Sequence, residues 1–156
     1  MRITTLALAS GLVSIVAVGA ASAGELVVGA ASAAPGQSVT VPVTYTAGGR
    51  SAVAVASDVR FNTAIFKNPR CTGGSDLPAA KSVRCGTPKS GILRLAVFGL
   101  NTDPMVSGEV AKITFDVAPN AKKGRYRLRN KPSAADKDGN DFRLAHGHGA
   151  VRVAAN

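Results

Sequence analysis

Six cations, Lys122, Lys123, Arg125, Arg127, Arg129 and Lys131, fall within ten residues, and from Arg125 onward they take alternate positions opposite Tyr126 and Leu128. On a strand, period two places four of them on one face at a spacing of about 6.6 Å. Like charges held that close repel unless water, neighbouring strands or a bound polyanion screens them. The chemistry on offer is capture of acidic polysaccharide, lipopolysaccharide or a negatively charged protein. Nucleic acid is disfavoured, because no exposed aromatic is interleaved for stacking and Tyr126 falls on the inner side. The plainer alternative is an outward strand face that keeps a basic protein soluble and blunts edge-to-edge association.

Other chemistry-bearing residues are sparse. His146 and His148 have the spacing that puts two rings on one strand face, yet Gly147 and Gly149 around them point to a flexible turn, and no third metal ligand stands nearby. The run from Asp136 to Asp141 has the composition of a calcium loop, but its glycine sits at the fourth position instead of the sixth and Gly147 stands where the bidentate glutamate belongs. A hairpin turn with positive φ at Gly139 or Asn140 accounts for it. Neither a G-x-S-x-G elbow nor paired carboxylates in an evident cleft is present, so no catalytic residue, metal or cofactor is expected. With no Trp, and with Tyr45 and Tyr126 both on inner strand faces, a sugar-stacking platform is not expected either.

The elements that must position these residues are strands. The chain has 156 residues, 19 Lys plus Arg against 9 Asp plus Glu, and two cysteines, which fits one small basic domain. Residues 1–23 carry a positive start at Arg2, an apolar run from Leu6 to Ala21 and the small residues Ala21-Ser22-Ala23, the layout of a signal peptide cut before Gly24. The domain then occupies residues 24–156 with no membrane span after cleavage, and the protein is expected to be secreted or periplasmic. In that oxidising setting Cys71 and Cys85 are expected to join across a Gly-, Ser- and Pro-rich loop, contributing about 3 kcal/mol by chain entropy. A metal at these cysteines would need two further ligands, and Asp76 is the sole candidate between them.

Strict alternation in SVTVPVTYT puts Val39, Val41, Val43 and Tyr45 on one face, and Pro42 among the outward residues argues for an edge or a bulge. The same period recurs at Val53, Val55, Val59 and Phe61, at Leu93, Leu95 and Val97, at Ala111, Ile113, Phe115 and Val117, and at Val151 and Val153, with turn clusters between. Many short strands in one domain predict an all-β antiparallel sandwich or barrel.

Three stretches carry a family resemblance. Phe61-Asn62-Thr63-Ala64-Ile65-Phe66 follows an alternating strand as a tyrosine-aspartate-proline-x-valine-leucine corner does in cohesin domains. GEVAKITFDVAPNAKKGRYRLRN through SAADKDGNDF to GAVRV is similar to that family's last strands, and VVGAASAAPGQSVTVPVTY to its opening. The resemblance implies a jelly-roll sandwich of about nine strands that binds a dockerin-like or other extracellular protein through one sheet face, in assemblies that degrade plant polysaccharides. In the family the strand before the corner presents an asparagine and an aspartate to the partner; the corresponding residues here are Ala54 and Ala56. Asp58 and Arg60 remain on that face, with Arg94 on ILRLAVF as a candidate neighbour, either as a partner-binding set or as a solvated strand side. One copy in the chain implies a single module and not a multivalent scaffold. Two functions stand side by side: a protein-binding module, or a basic envelope domain that holds acidic polymers.

Overall fold

The alternating segments all become strands in the computed structural model, which describes residues 22–155. Apart from Ser22 and Ala23, the segment taken for a signal peptide lies outside the described residues. In chain order the strands are β1 (Glu25–Val28), β2 (Ala30–Ala33), β3 (Ser38–Thr46), β4 (Ala54–Arg60), β5 (Phe66–Gly73), β6 (Ser82–Lys89), β7 (Ile92–Phe98), β8 (Gly108–Val117), β9 (Gly124–Ala135), β10 (Asp141–Arg143), β11 (Ala145–Gly147) and β12 (Gly149–Val153). The first sheet has the order β11-β1-β3-β8-β5, and the second the order β2-β12-β9-β4-β7-β6 with β10 beside β9. Together they form an all-β jelly-roll sandwich. β1 with β2, and β10 with β11 and β12, each make one pass across it, so the twelve strands amount to the nine passes expected.

The inner faces are those that alternation predicts. Val39, Val41, Val43 and Tyr45 of β3 meet Leu93, Leu95 and Val97 of β7 and Ile113, Phe115 and Val117 of β8 in one core. Burying each large side chain contributes roughly 1.5–3 kcal/mol. Phe115 is the hub, with the rings of Phe61 and Phe66 at 5.1 and 5.2 Å from its own.

The structure refines several expectations. Pro42 is not on an edge strand, since β3 lies between β1 and β8, but the alternative of a bulge finds one beside it, where the β3–β8 register shifts between Val43 and Thr44. Its missing N–H is tolerated because β1 ends beside it at Gly29, whose N–H donates to the Pro42 carbonyl (2.8 Å), and the chain then crosses to the second sheet as β2. The sheets are also not wholly antiparallel, since β1 runs parallel to β11 and β2 parallel to β12. This follows from the first and last passes lying side by side. The expected disulfide closes the expected loop, residues 74–81, from the strands on either side: Cys71 sits on β5 and Cys85 on β6, edge strands with little buried surface and hence no readable alternation. Finally, the His146–Gly149 stretch is the β11–β12 crossover and not a free turn. Gly149 is required by close approach, for a Cβ there would lie 2.5 Å from the Gly29 carbonyl oxygen.

The long sides of the sandwich are thereby closed in two different ways. On one, the first and last passes cross between the sheets; on the other, the Cys71–Cys85 disulfide (Cα–Cα 6.1 Å) links β5 of the first sheet to β6 of the second. Among the described residues no helix is long and apolar enough to cross a membrane.

Candidate functional site

The outward face of the second sheet gathers the residues singled out by the sequence. Register sets Asp58 of β4 opposite Arg94 of β7, and the two form a forked ion pair, Arg94 Nε to Oδ1 at 2.7 Å and Nη2 to Oδ2 at 2.8 Å. This hydrogen-bonded guanidinium, more than any other neighbour, holds the Asp58 carboxyl below the usual carboxylate range. On its other side Asp58 faces Lys131, and one step along β4 Arg60 faces Arg129 of β9. Asp58, Arg60 and Arg94 are thus brought together on one surface. The acid is already paired, while Arg60 has no acid partner among the described residues.

Beside this charged half lies an apolar one. Ala56 is opposite Ala96 on one side and Ser133 on the other, and Ala54 continues the row. Phe98, at the outward end of β7, is 40% exposed, and Leu100 just beyond it is fully exposed. The loop that presents Leu100 is pinned. Asn101 donates to the Ala80 carbonyl and accepts from the buried Lys81 ammonium (3.0 and 2.8 Å), and the N–H of buried Met105 bonds to the Ala52 carbonyl. From the charged half a depression of ≈ 820 Å³ extends over β9 toward β10 and β11, its lining including Ala56, Asp58, Arg94, Lys131, Arg143 and His146.

The basic row occupies the same face, on a central strand instead of an edge. Arg125, Arg127, Arg129 and Lys131 are all exposed and alternate along β9, as expected; Lys122 and Lys123 are exposed in the turn that precedes it and stand off the row. Tyr126 points inward, edge-on to Phe66, with its hydroxyl donating to the Lys122 carbonyl. The sequence could not show what stands across from these cations. Arg152 of β12 lies directly opposite Arg125, and Arg60 directly opposite Arg129. The outward position of Arg152 was visible in the alternation of GAVRV, but its pairing with β9 was not. Phe98 and Leu100 were also missed, since a lone apolar residue near a turn carries no periodic signal.

The histidines neighbour this face, and among the described residues no group of three or more metal-ligating side chains gathers there. Their rings are 4.6 Å apart, but Nδ1 of His148 accepts the Asn130 N–H at 2.9 Å, so the neutral ring is built into the backbone ladder. Burial first, and the charge of Arg127 next, push the His148 imidazole below its ordinary value. The acidic run is a hairpin turn: Gly139 has φ 79°, and Asp136 accepts the N–H groups of Asp138 and Asn140 and pairs with Arg50 at 2.7 Å.

Known proteins place this geometry. The module CaCohA2 from Clostridium acetobutylicum, solved in solution, is 23% identical with a TM-score of 0.70, over 85% of this chain and 92% of that one. The OlpA cohesin from Clostridium thermocellum, crystallised with a dockerin, is 18% identical with a TM-score of 0.69, over 84% and 99%. A non-cellulosomal cohesin from the archaeon Archaeoglobus fulgidus is 15% identical with a TM-score of 0.66, over 85% and 91%. At these identities the likeness is one of fold. Comparison with curated proteins gives no match. The family model for the cohesin domain, however, matches residues 24–153, nearly the whole described sandwich, and the chain belongs to the cohesin domain family.

Proposed function

We propose that this protein is an exported, non-catalytic binding module that captures a dockerin-like partner on the outward face of its second sheet, in a polysaccharide-related extracellular assembly. The observation that carries the reading is the distribution of exposed apolar side chains. Among the described residues the three large ones, Phe98, Leu100 and Val106, all lie at the end of β7 or in the loop after it, and Phe98 continues the outward row of Ala96, which stands opposite Ala56. Apolar anchors next to a polar, charged rim are the anatomy of a protein interface. In this chain Ala54 and Ala56 replace polar contacts with a surface onto which a partner's apolar side chains fit, while Asp58, Arg60 and Arg94 supply the rim. The Cys71–Cys85 disulfide supports an oxidising compartment.

The test is calorimetric titration with purified dockerin modules encoded by the same genome. Reversing charge in Asp58→Lys with Arg60→Glu, or filling the floor with Ala56→Arg, is expected to weaken binding about tenfold or more. A Lys112→Glu control on the first sheet should leave it unchanged. Equal binding by all four proteins, or none by the wild type, would refute the site.

A further inference from the structure

The charges of this sandwich are segregated by sheet. Strands of the first sheet carry Glu25, Glu109 and Asp116 against Lys67, Arg70 and Lys112, and two of these cations are paired, Arg70 with Asp116 and Lys112 with Glu109. The six strands of the second sheet's main path carry nine cations and a single acid, Asp58, which is engaged by Arg94. The excess over neutrality is therefore concentrated on one face. Within it, Arg125 opposite Arg152 and Arg129 opposite Arg60 are like-charge cross-strand pairs, with Arg127 between them, and none of these five forms an ion pair among the described residues. Directly opposed like charges destabilise a sheet, so an arrangement that stacks two such pairs calls for an external anion.

We infer that the β12–β9–β4 face is a binding site for a linear acidic polysaccharide laid along β9. The geometry selects this class. The site is almost all arginine, whose planar fork takes carboxylate or sulfate oxygens two at a time. Its members repeat about 6.6 Å apart along β9 and about 4.8 Å between strands, which matches an extended polymer and not a point anion. The floor beside Arg125 and Arg152 is small and open, lined by Ala30, Ser32 and Ala150, so a bulky hydrated chain can approach the backbone. Nucleic acid would need exposed rings to stack its bases, and the residues between the cations, Tyr126 and Leu128, turn inward. An acidic protein would need an apolar anchor, and the exposed ones stand at the far end of β7, outside this patch.

The two sites share Arg60, but Arg125, Arg127 and Arg152 lie where β9 pairs with β12, beyond its pairing with β4, so variants there test this inference apart from the dockerin reading. The experiment measures binding of residues 24–156 to polygalacturonate and to heparin across a salt series. Wild type should bind both with affinity that falls steeply as salt rises, through counterion release. Changing Arg125→Gln, Arg127→Gln and Arg152→Gln together should weaken binding about tenfold or more and flatten the salt slope. An unchanged thermal midpoint shows that these exposed substitutions leave the fold intact. A control with Lys67→Gln, Lys112→Gln and Lys137→Gln removes the same charge elsewhere and should bind as wild type does. Equal weakening by the control would mean the charge acts diffusely and overturn the site. So would tighter binding of a single-stranded oligonucleotide or of polyglutamate, or no binding of either polysaccharide at low salt. Failure of every dockerin to bind would leave this result standing, and the arginine variant should still bind any dockerin that wild type binds.

Discussion

Asn130 holds an inward position on β9 that, by the pattern of Leu128 and Ala134, would suit an aliphatic residue. It is 3% exposed. Its side chain donates to the Leu26 carbonyl at 2.6 Å and to that of Gly147 at 3.3 Å, and accepts the hydroxyl of buried Ser57. One amide thus joins β9 and β4 of the second sheet to β1 and β11 of the first, at the place where the crossing passes leave carbonyls without ladder partners. Each buried group left unpaired costs about 1–3 kcal/mol. Asn130→Ala is therefore expected to lower the unfolding free energy by at least about 2 kcal/mol in urea titration. A loss under about 0.5 kcal/mol would mean that water replaces the amide, as it does at surface sites. Alternation alone hides this role, because a polar residue interrupting an alternating run looks like the end of a strand.

At the scale of elements, the disulfide is a clasp between two weakly packed edges. Most side chains of β5 and β6 are exposed, so packing alone holds that side of the sandwich loosely. Replacing both Cys71 and Cys85 with Ala should cost about 3 kcal/mol, the chain-entropy value for a loop of this size. Guanidinium unfolding of the two proteins measures it, and equal midpoints would show that β5 and β6 hold together without the bond. The same two strands mark the limit of what the residues reveal. β3, β4, β7, β8, β9 and β12 bury one face each, so alternation betrays them; an edge strand wet on both faces has no period to read. Pairings are hidden for a different reason. The Asp58–Arg94 neighbourhood could be guessed from the sequence, but Arg125 with Arg152 and Arg129 with Arg60 depend on a register fixed by the whole sandwich.

For the molecule as a whole, acid should act on both its balance of charge and its ties. Asp116, bonded by Asn68, Ser38 and Arg70, and Asp136, bonded by Arg50 and turn amides, are each held down to about 2 from an ordinary 3.8. Their stabilisation is fully present above the unfolded value and is lost as pH falls through the folded one. Protonation of the acids also leaves the basic second sheet without counter-charge, so self-repulsion adds to the loss. The melting temperature is expected to drop between pH 4 and pH 2, and Asp116→Asn with Asp136→Asn should start lower and fall less over that window. A parallel fall in both proteins would place the acid sensitivity elsewhere. The crossing of the first and last passes has a further consequence, in time. β1 and β2 find their parallel neighbours only in β11 and β12, more than a hundred residues later, so one long side of the sandwich stays open until the final strand is available. Local pairings such as β6 with β7 can form early, but closure of so long a loop is late and entropically slow. The chain thus completes its fold only after β12 has been delivered, and until then β1 waits with one edge unpaired and β2 with no ladder partner at all.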